Sequence, residues 1–208
     1  MKTPARPFRR ALLMAGLVLV SGGCATQVTR VSPEQQIDLS GRWNDTDSRI
    51  VAEELIRLSF DAERGGDWAV RHMQAHAGRK PTVIIGSVRN RSMEQIPVGT
   101  FVRDLEQAYL RSGQVSVVAS RDERDEVREE KLDQQENATA DTRARLARER
   151  GADYMLQGDI QSIEDREGRR RVVYYQVDLT LVDVETNEKT WTGQHKIKKM
   201  VERPRFRI

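Results

Sequence analysis

Three histidines and a single cysteine are the residues most able to do chemistry in this 208-residue chain. His72 and His76 stand four apart in His72-Met73-Gln74-Ala75-His76, so a helix would place both imidazoles on one face. Two histidines grip zinc with that spacing. The general base of such a site directly follows the first histidine, and here that position is Met73. No third ligand is evident, so both are read as surface or half-buried histidines, with no metal and no cofactor. His195 lies among lysines and reads as a strand-edge residue. A serine nucleophile needs a strained turn or a paired base, and neither G-x-S-x-G nor S-x-x-K occurs. Gly65-Gly66 lacks the strand before it, the helix after it and the trailing G-K-[ST] of a phosphate loop. Carboxylates are plentiful, but sequence alone pairs none of them. The chain is read as a non-enzyme with no catalytic residue.

Cys24 has a different chemistry. It closes an apolar run, Ala11 to Cys24, which follows a start bearing Lys2, Arg6, Arg9 and Arg10 and no acid. A basic start, an apolar stretch of about ten residues and small residues at its end make a secretory signal. The run is shorter than the roughly 20 apolar residues that span a bilayer. Ser21, Gly22 and Gly23 before the cysteine resemble a bacterial lipobox, although Ser21 stands where leucine is usual. The expectation is cleavage after residue 23 and lipidation of Cys24, which otherwise would be a lone thiol in an oxidising compartment.

That segment also explains the charge. The whole chain carries +3, but residues 1–23 hold four bases and no acid, leaving 3 − 4 = −1 for the remainder. A bulk-charge case for nucleic acid therefore fails.

The elements that would carry a site follow in order. Ala25 to Gly41 is poor in apolar residues and reads as a tether. Asp47 or Ser48 is expected to cap a helix bearing Ile50, Leu55, Ile56, Leu58 and Phe60, with Gly65-Gly66 as its break. A second helix spans Asp67 to about Ala77 with Trp68 as anchor. Thr82 to Val88 reads as a central strand. Pro97 opens a helix to Ser112 whose inner face is Phe101, Leu105, Ala108 and Tyr109, with Val102 beside it, and Gly113 is its stop. Gln114 to Ala119 is a second strand. Ser120 caps a charged, solvated helix, and Thr139 to Arg150 is a further short one.

Period two then takes over: Tyr154, Leu156, Gly158, Ile160; Val173, Tyr175, Val177, Leu179, Leu181; Trp191, Gly193, Ile197. These are three antiparallel strands in a meander, while the first two strands are expected to be parallel across a helical crossover. The fold class is α/β, a compact sandwich of a mixed sheet of about five strands with flanking helices. The organisation is 1–23 signal peptide, 24–46 short tether and 47–208 one α/β domain.

DLSGRWNDTDSR (Asp38 to Arg49), KPTVIIGSVRNRS (Lys80 to Ser92), VVASRDERDEVREEKLDQQENA (Val117 to Ala138), GADYMLQGDIQSI (Gly151 to Ile163) and YYQVDLTLVDVETNEKTWTGQHKIKK (Tyr174 to Lys199) resemble the LpoB-like family of outer-membrane lipoproteins. The resemblance implies a domain similar to the amino-terminal domain of TolB. It also implies a periplasm-facing, lipid-anchored outer-membrane protein that activates a penicillin-binding protein in peptidoglycan synthesis. The alternative is an envelope assembly or secretion accessory lipoprotein acting as an adaptor. The best-known members carry a long, proline-rich tether, whereas this one is about 20 residues and reaches at most ~70 Å fully extended. No motif marks the docking surface. Trp43, Lys196 and Lys198 are the candidate partner contacts, with the alternative, favoured for Trp43, that it packs back and staples the first helix. The basic end, with Lys199, Arg203, Arg205 and Arg207, either solubilises an edge strand or meets anionic groups.

Overall fold

The computed structural model describes residues 28–136 and 151–202. The chain divides into two units, Met1–Pro33 and Glu34–Ile208, and the folded domain lies in the second. Its elements are α1 (Asp45–Ser59), a 3-10 turn (Ala62–Arg64), α2 (Trp68–Ala75), β1 (Thr82–Asn90), α3 (Val98–Ser112), β2 (Ser116–Val117), α4 (Arg121–Glu136), β3 (Tyr154–Glu167), β4 (Arg170–Asp183) and β5 (Lys189–Glu202). The strands form one mixed sheet in the order β2-β1-β3-β4-β5. β1 runs parallel to β2 and β3, while β3, β4 and β5 are antiparallel neighbours. This is the α/β sandwich with flanking helices expected from the pattern. The expected helix over Thr139 to Arg150 lies outside the described residues, as do Cys24 and Arg203, Arg205 and Arg207.

The connections set the directions. β1 and β2 are joined through α3, the length of chain a parallel pair needs. β3 turns into β4 at Gly168, whose positive φ of 55° suits glycine, and β4 turns into β5 where Asp183 accepts from the amides of Glu185 and Thr186, each at 2.9 Å. One face of the sheet is packed. Val173, Tyr175, Val177, Leu179 and Leu181 of β4 are buried against a core shared with Phe101, Leu105, Ala108 and Tyr109 of α3 and with Val51, Ala52, Leu55 and Ile56 of α1. Burial of that order supplies roughly 1.5–3 kcal/mol per large apolar side chain. Trp68 anchors α2 as expected, with its indole N–H donating to the Ser59 carbonyl at 2.6 Å.

Three local expectations are corrected. Neither Asp47 nor Ser48 caps α1. Asn44 does: its side-chain oxygen accepts from the Asp47 amide at 3.0 Å, and the Asp47 carboxylate accepts from the Asn44 amide at 3.0 Å. Asp47 is thus the third helical residue of a reciprocal capping box, and its burial follows from that inward turn. The second strand is only two residues long, because α4 begins directly after the chain passes Ser120. There Glu123, pulled down to about 2 chiefly by Arg103 and then by the Ser120 amide, closes the first turn of α4. Finally, the stretch read as tether is tied to the sheet from Asp38 onward, by contacts described next.

Candidate interaction surface

The sheet presents two unlike faces. Odd-numbered residues of β4 point to the helices, and even-numbered ones point away. Cross-strand pairing builds the second face in rows: Asp165, Val172 and Met200; Ile163, Tyr174 and Lys198; Gln161, Gln176 and Lys196; Asp159, Asp178 and Gln194. Ile163 and Met200 are 68% and 73% exposed, so nothing in the described chain covers this end. A polar chain runs beside them: the Tyr174 hydroxyl donates to Gln176 at 3.2 Å, Gln176 to Asp178 at 2.8 Å, and Gln194 to Asp178 at 2.7 Å. Lys196 and Lys198 stand exposed in these rows with no carboxylate partner among the described residues. They are two free cations beside exposed aliphatic area and a half-buried tyrosine, a composition that suits protein contact.

One position further, alternation turns Lys199 inward, and its role is the opposite. Its ammonium donates to Asp38 at 2.7 Å, to Asp47 at 2.6 Å and to the Arg42 carbonyl at 3.3 Å. Burial works against that charge, but hydrogen bonds to Asp38 and Asp47 outweigh it and hold the ammonium above its ordinary range. Asp38 is held below its ordinary range chiefly by the same ammonium. Asp47 is pushed up by burial, with Lys199 pulling against that push. Lys199 is therefore a structural clamp and not part of a free basic tail.

Trp43, expected as a candidate partner contact, is placed by the same clamp. Its ring packs edge-on against Phe101 and Tyr175, with centroids 5.9 and 5.6 Å apart, and its amide donates to Glu94 at 3.2 Å. The Tyr175 hydroxyl donates to the Gly41 carbonyl at 3.0 Å. Trp43 thus staples the chain ahead of α1 to the core, half-buried, while Lys196 and Lys198 remain on the open face.

The histidines are elsewhere. His72 is buried, not at the surface, because Tyr154 at the start of β3 packs against its ring. Its Nδ1 lies 3.2 Å from the Tyr154 hydroxyl, its Nε2 lies 3.7 Å from Asp153, and its ring stacks on His76 at 4.0 Å. Arg79 grips Asp153 through two hydrogen bonds of 2.8 and 3.0 Å. Among the described residues no group of three or more His, Cys, Asp or Glu side chains could hold a metal. Burial pushes His72 down, against the pull of Asp153, with His76 and Arg79 adding to the fall and Asp183 opposing it. A lowered pKa favours the neutral imidazole in the folded chain, so its contribution is complete above the unfolded pKa of about 6.5 and is lost as pH falls through the folded value. Asp153, held low by Arg79 and the Thr82 amide despite its burial, adds a loss of the same sign at lower pH. Thermal melts from pH 7 to 5 are expected to show proton uptake on unfolding that grows as pH falls, and His72→Gln should flatten that slope. An unchanged slope in the variant would show that the acid sensitivity arises elsewhere.

A family model described as peptidoglycan-synthase activator LpoB matches residues 44–197. Among solved structures, the chain is similar to the LpoB carboxy-terminal domain from Salmonella enterica, at 18% identity over 74% of this chain and 99% of that one, with a TM-score of 0.37. It is also similar to E. coli LpoB, at 14% identity over 97% and 91% with a TM-score of 0.39, and to lipoprotein GNA1162 from Neisseria meningitidis, at 20% identity over 58% and 83% with a TM-score of 0.36. No curated protein sequence matches the chain. The family match begins at the capping residue of α1, runs through β3 and β4 and ends at Ile197 within β5, and on it the chain belongs to the LpoB family of peptidoglycan-synthase activators.

Proposed function

We propose that this chain is a lipid-anchored periplasmic protein that activates a penicillin-binding protein by docking the open face of its meander onto the synthase. Family membership supports the activator role. The observation that carries the docking face is the patch of exposed Ile163 and Met200 with half-buried Tyr174 between them, flanked by the unpartnered Lys196 and Lys198. Activation needs only that the synthase bind this face more tightly in its active conformer, because a ligand shifts an equilibrium by its differential affinity. Lipidation of Cys24 supplies the anchor. Among the described residues no helix is long and apolar enough to cross a membrane.

The clamp sharpens the spatial demand. With the chain held at Asp38, the free span from Cys24 is 38 − 24 = 14 residues. Fully extended it reaches at most about 50 Å, and as a relaxed coil about 20 Å. The partner must therefore bring its docking domain close to the anchoring membrane.

The test is glycan polymerisation by the organism's own penicillin-binding protein, with and without the Cys24→Ser chain. Stimulation is expected, and Ile163→Asp combined with Lys198→Glu should weaken binding by about 100-fold, two central contacts at over 1 kcal/mol each. A synthase that neither binds the chain nor changes rate would refute the reading and leave an adaptor role in envelope assembly.

A further inference from the structure

The end of the sheet beside the β3–β4 turn carries an unusual charge. Leu39 and Ser40 of the lead-in segment, the turn and the end of β5 enclose a groove of about 620 Å³ whose walls bear Arg42, Arg166, Arg169, Arg170 and Arg171. One carboxylate, Glu202, lines it, paired with Arg170 at 2.7 Å. Glu164, beside it on β3, takes Arg166 at 3.0 Å and Arg171 at 3.3 Å. Arg42 and Arg169 have no acidic partner among the described residues, and both are exposed. Arginine forks match phosphate oxygens in pairs and lose less hydration than lysine in doing so.

A second observation says what the groove faces. The chain from Cys24 reaches the domain at this groove: Asp38 is clamped by Lys199, and the next two residues form the groove wall. A lipid-bearing Cys24 only 14 residues away keeps these arginines within a few tens of ångströms of a bilayer surface. Attraction to an anionic surface decays over a Debye length of about 8 Å, so only a cluster at the tethered end can profit from it.

The geometry points to this arginine groove as a second membrane contact that binds the phosphates of anionic phospholipids and lays the tethered end of the domain against the bilayer. It rests on the lipid-anchor reading and adds an orientation to it. The open face of β3–β5 is built from different residues, so docking the groove on lipid leaves Ile163, Tyr174 and Lys196 available to a partner.

Vesicle co-sedimentation tests this with residues 25–208, which lack both the lipid-bearing Cys24 and the basic, apolar segment before it, so that binding reports the groove and not the anchor. Vesicles of phosphatidylcholine with phosphatidylglycerol should retain the protein about tenfold better than phosphatidylcholine alone, and high salt should abolish the difference. The doubly substituted R42Q/R169Q chain, with an unchanged thermal melt, should lose most of that retention. Equal retention by both vesicle types, or an unaltered R42Q/R169Q chain, would overturn the proposal. So would displacement by millimolar inorganic phosphate at constant ionic strength, which would mark the groove as a small-anion site. Loss of synthase binding with vesicle retention intact would likewise overturn it in favour of an acidic protein surface. The anchor is read separately: the unsubstituted chain in cells should fractionate with membranes whether or not R42Q/R169Q is present, and only Cys24→Ser should release it.

Discussion

Lys199→Met should destabilise the domain by about 3 kcal/mol, lowering its melting temperature by about 10 °C. Methionine keeps the length of the side chain and its apolar stem, so the loss isolates the ammonium. What remains is Asp47, buried at the start of α1 and already pushed up by burial, now without its cation. An uncompensated buried carboxylate is the costly outcome of breaking such a pair, more costly than removing both partners. Lys199→Met with Asp47→Asn should therefore recover about half the loss or more, although asparagine keeps only part of the capping box with Asn44.

The pH dependence has a definite sign. A carboxyl whose folded pKa lies above its unfolded value costs stability at neutral pH, and the cost disappears as pH falls through the folded value. The gap between Lys199→Met and the parent chain should narrow between pH 7 and about 4.5. A constant gap would mean that lost packing, not charge, was measured. The variant has a second signature: without the clamp at Asp38, residues 36–42 should become cleavable by protease while α3 and the meander stay protected.

This clamp marks the boundary of what the sequence could tell. The meander was legible because Val173, Tyr175, Val177, Leu179 and Leu181 alternate without interruption, and a buried-face strand with that pattern has one register. The inner face of α3 was legible for the same reason at helical period, and Phe101, Leu105, Ala108 and Tyr109 are all buried. Asp38 gives no such signal. It is one acid in a polar stretch, and its partner lies 161 residues away on β5. Asp47 looked like a cap because it precedes the apolar stripe; only geometry shows Asn44 reaching across from outside the helix. His72 read as a surface or half-buried residue, yet Tyr154, which covers it, comes from a strand 82 residues later. Lys196 and Lys198 were legible on the face opposite Trp191, Gly193 and Ile197, but Lys199 read as part of the basic tail, and only its distant partners Asp38 and Asp47 show it turned into a buried site. Elements set by local pattern were visible, and ties set by long-range closure were not.

Trp68→Ala should cost about 4 kcal/mol, the largest single loss expected from α2. The ring is almost wholly buried, stacks on Phe60 with centroids 5.6 Å apart and meets Tyr154 edge-on at 5.2 Å. It is the one large apolar side chain by which this eight-residue helix enters the core. Its N–H also satisfies the Ser59 carbonyl at the end of α1, so removal leaves a buried acceptor unpaired. Trp68→Phe separates these contributions: it keeps most of the aromatic contact, loses the hydrogen bond and should cost about 1–2 kcal/mol. The alanine variant carries a further consequence through His72, one turn along the same helix. If α2 loosens from β3, water reaches the imidazole, and the burial that pushed it down is relieved. Its NMR titration should then move back toward the ordinary histidine range, and the loss of stability between pH 7 and 5 should shrink with it. In Trp68→Phe both should stay as in the parent chain. A His72 titration unmoved in the alanine variant would show that Asp153 and Tyr154 hold α2 in place without the indole.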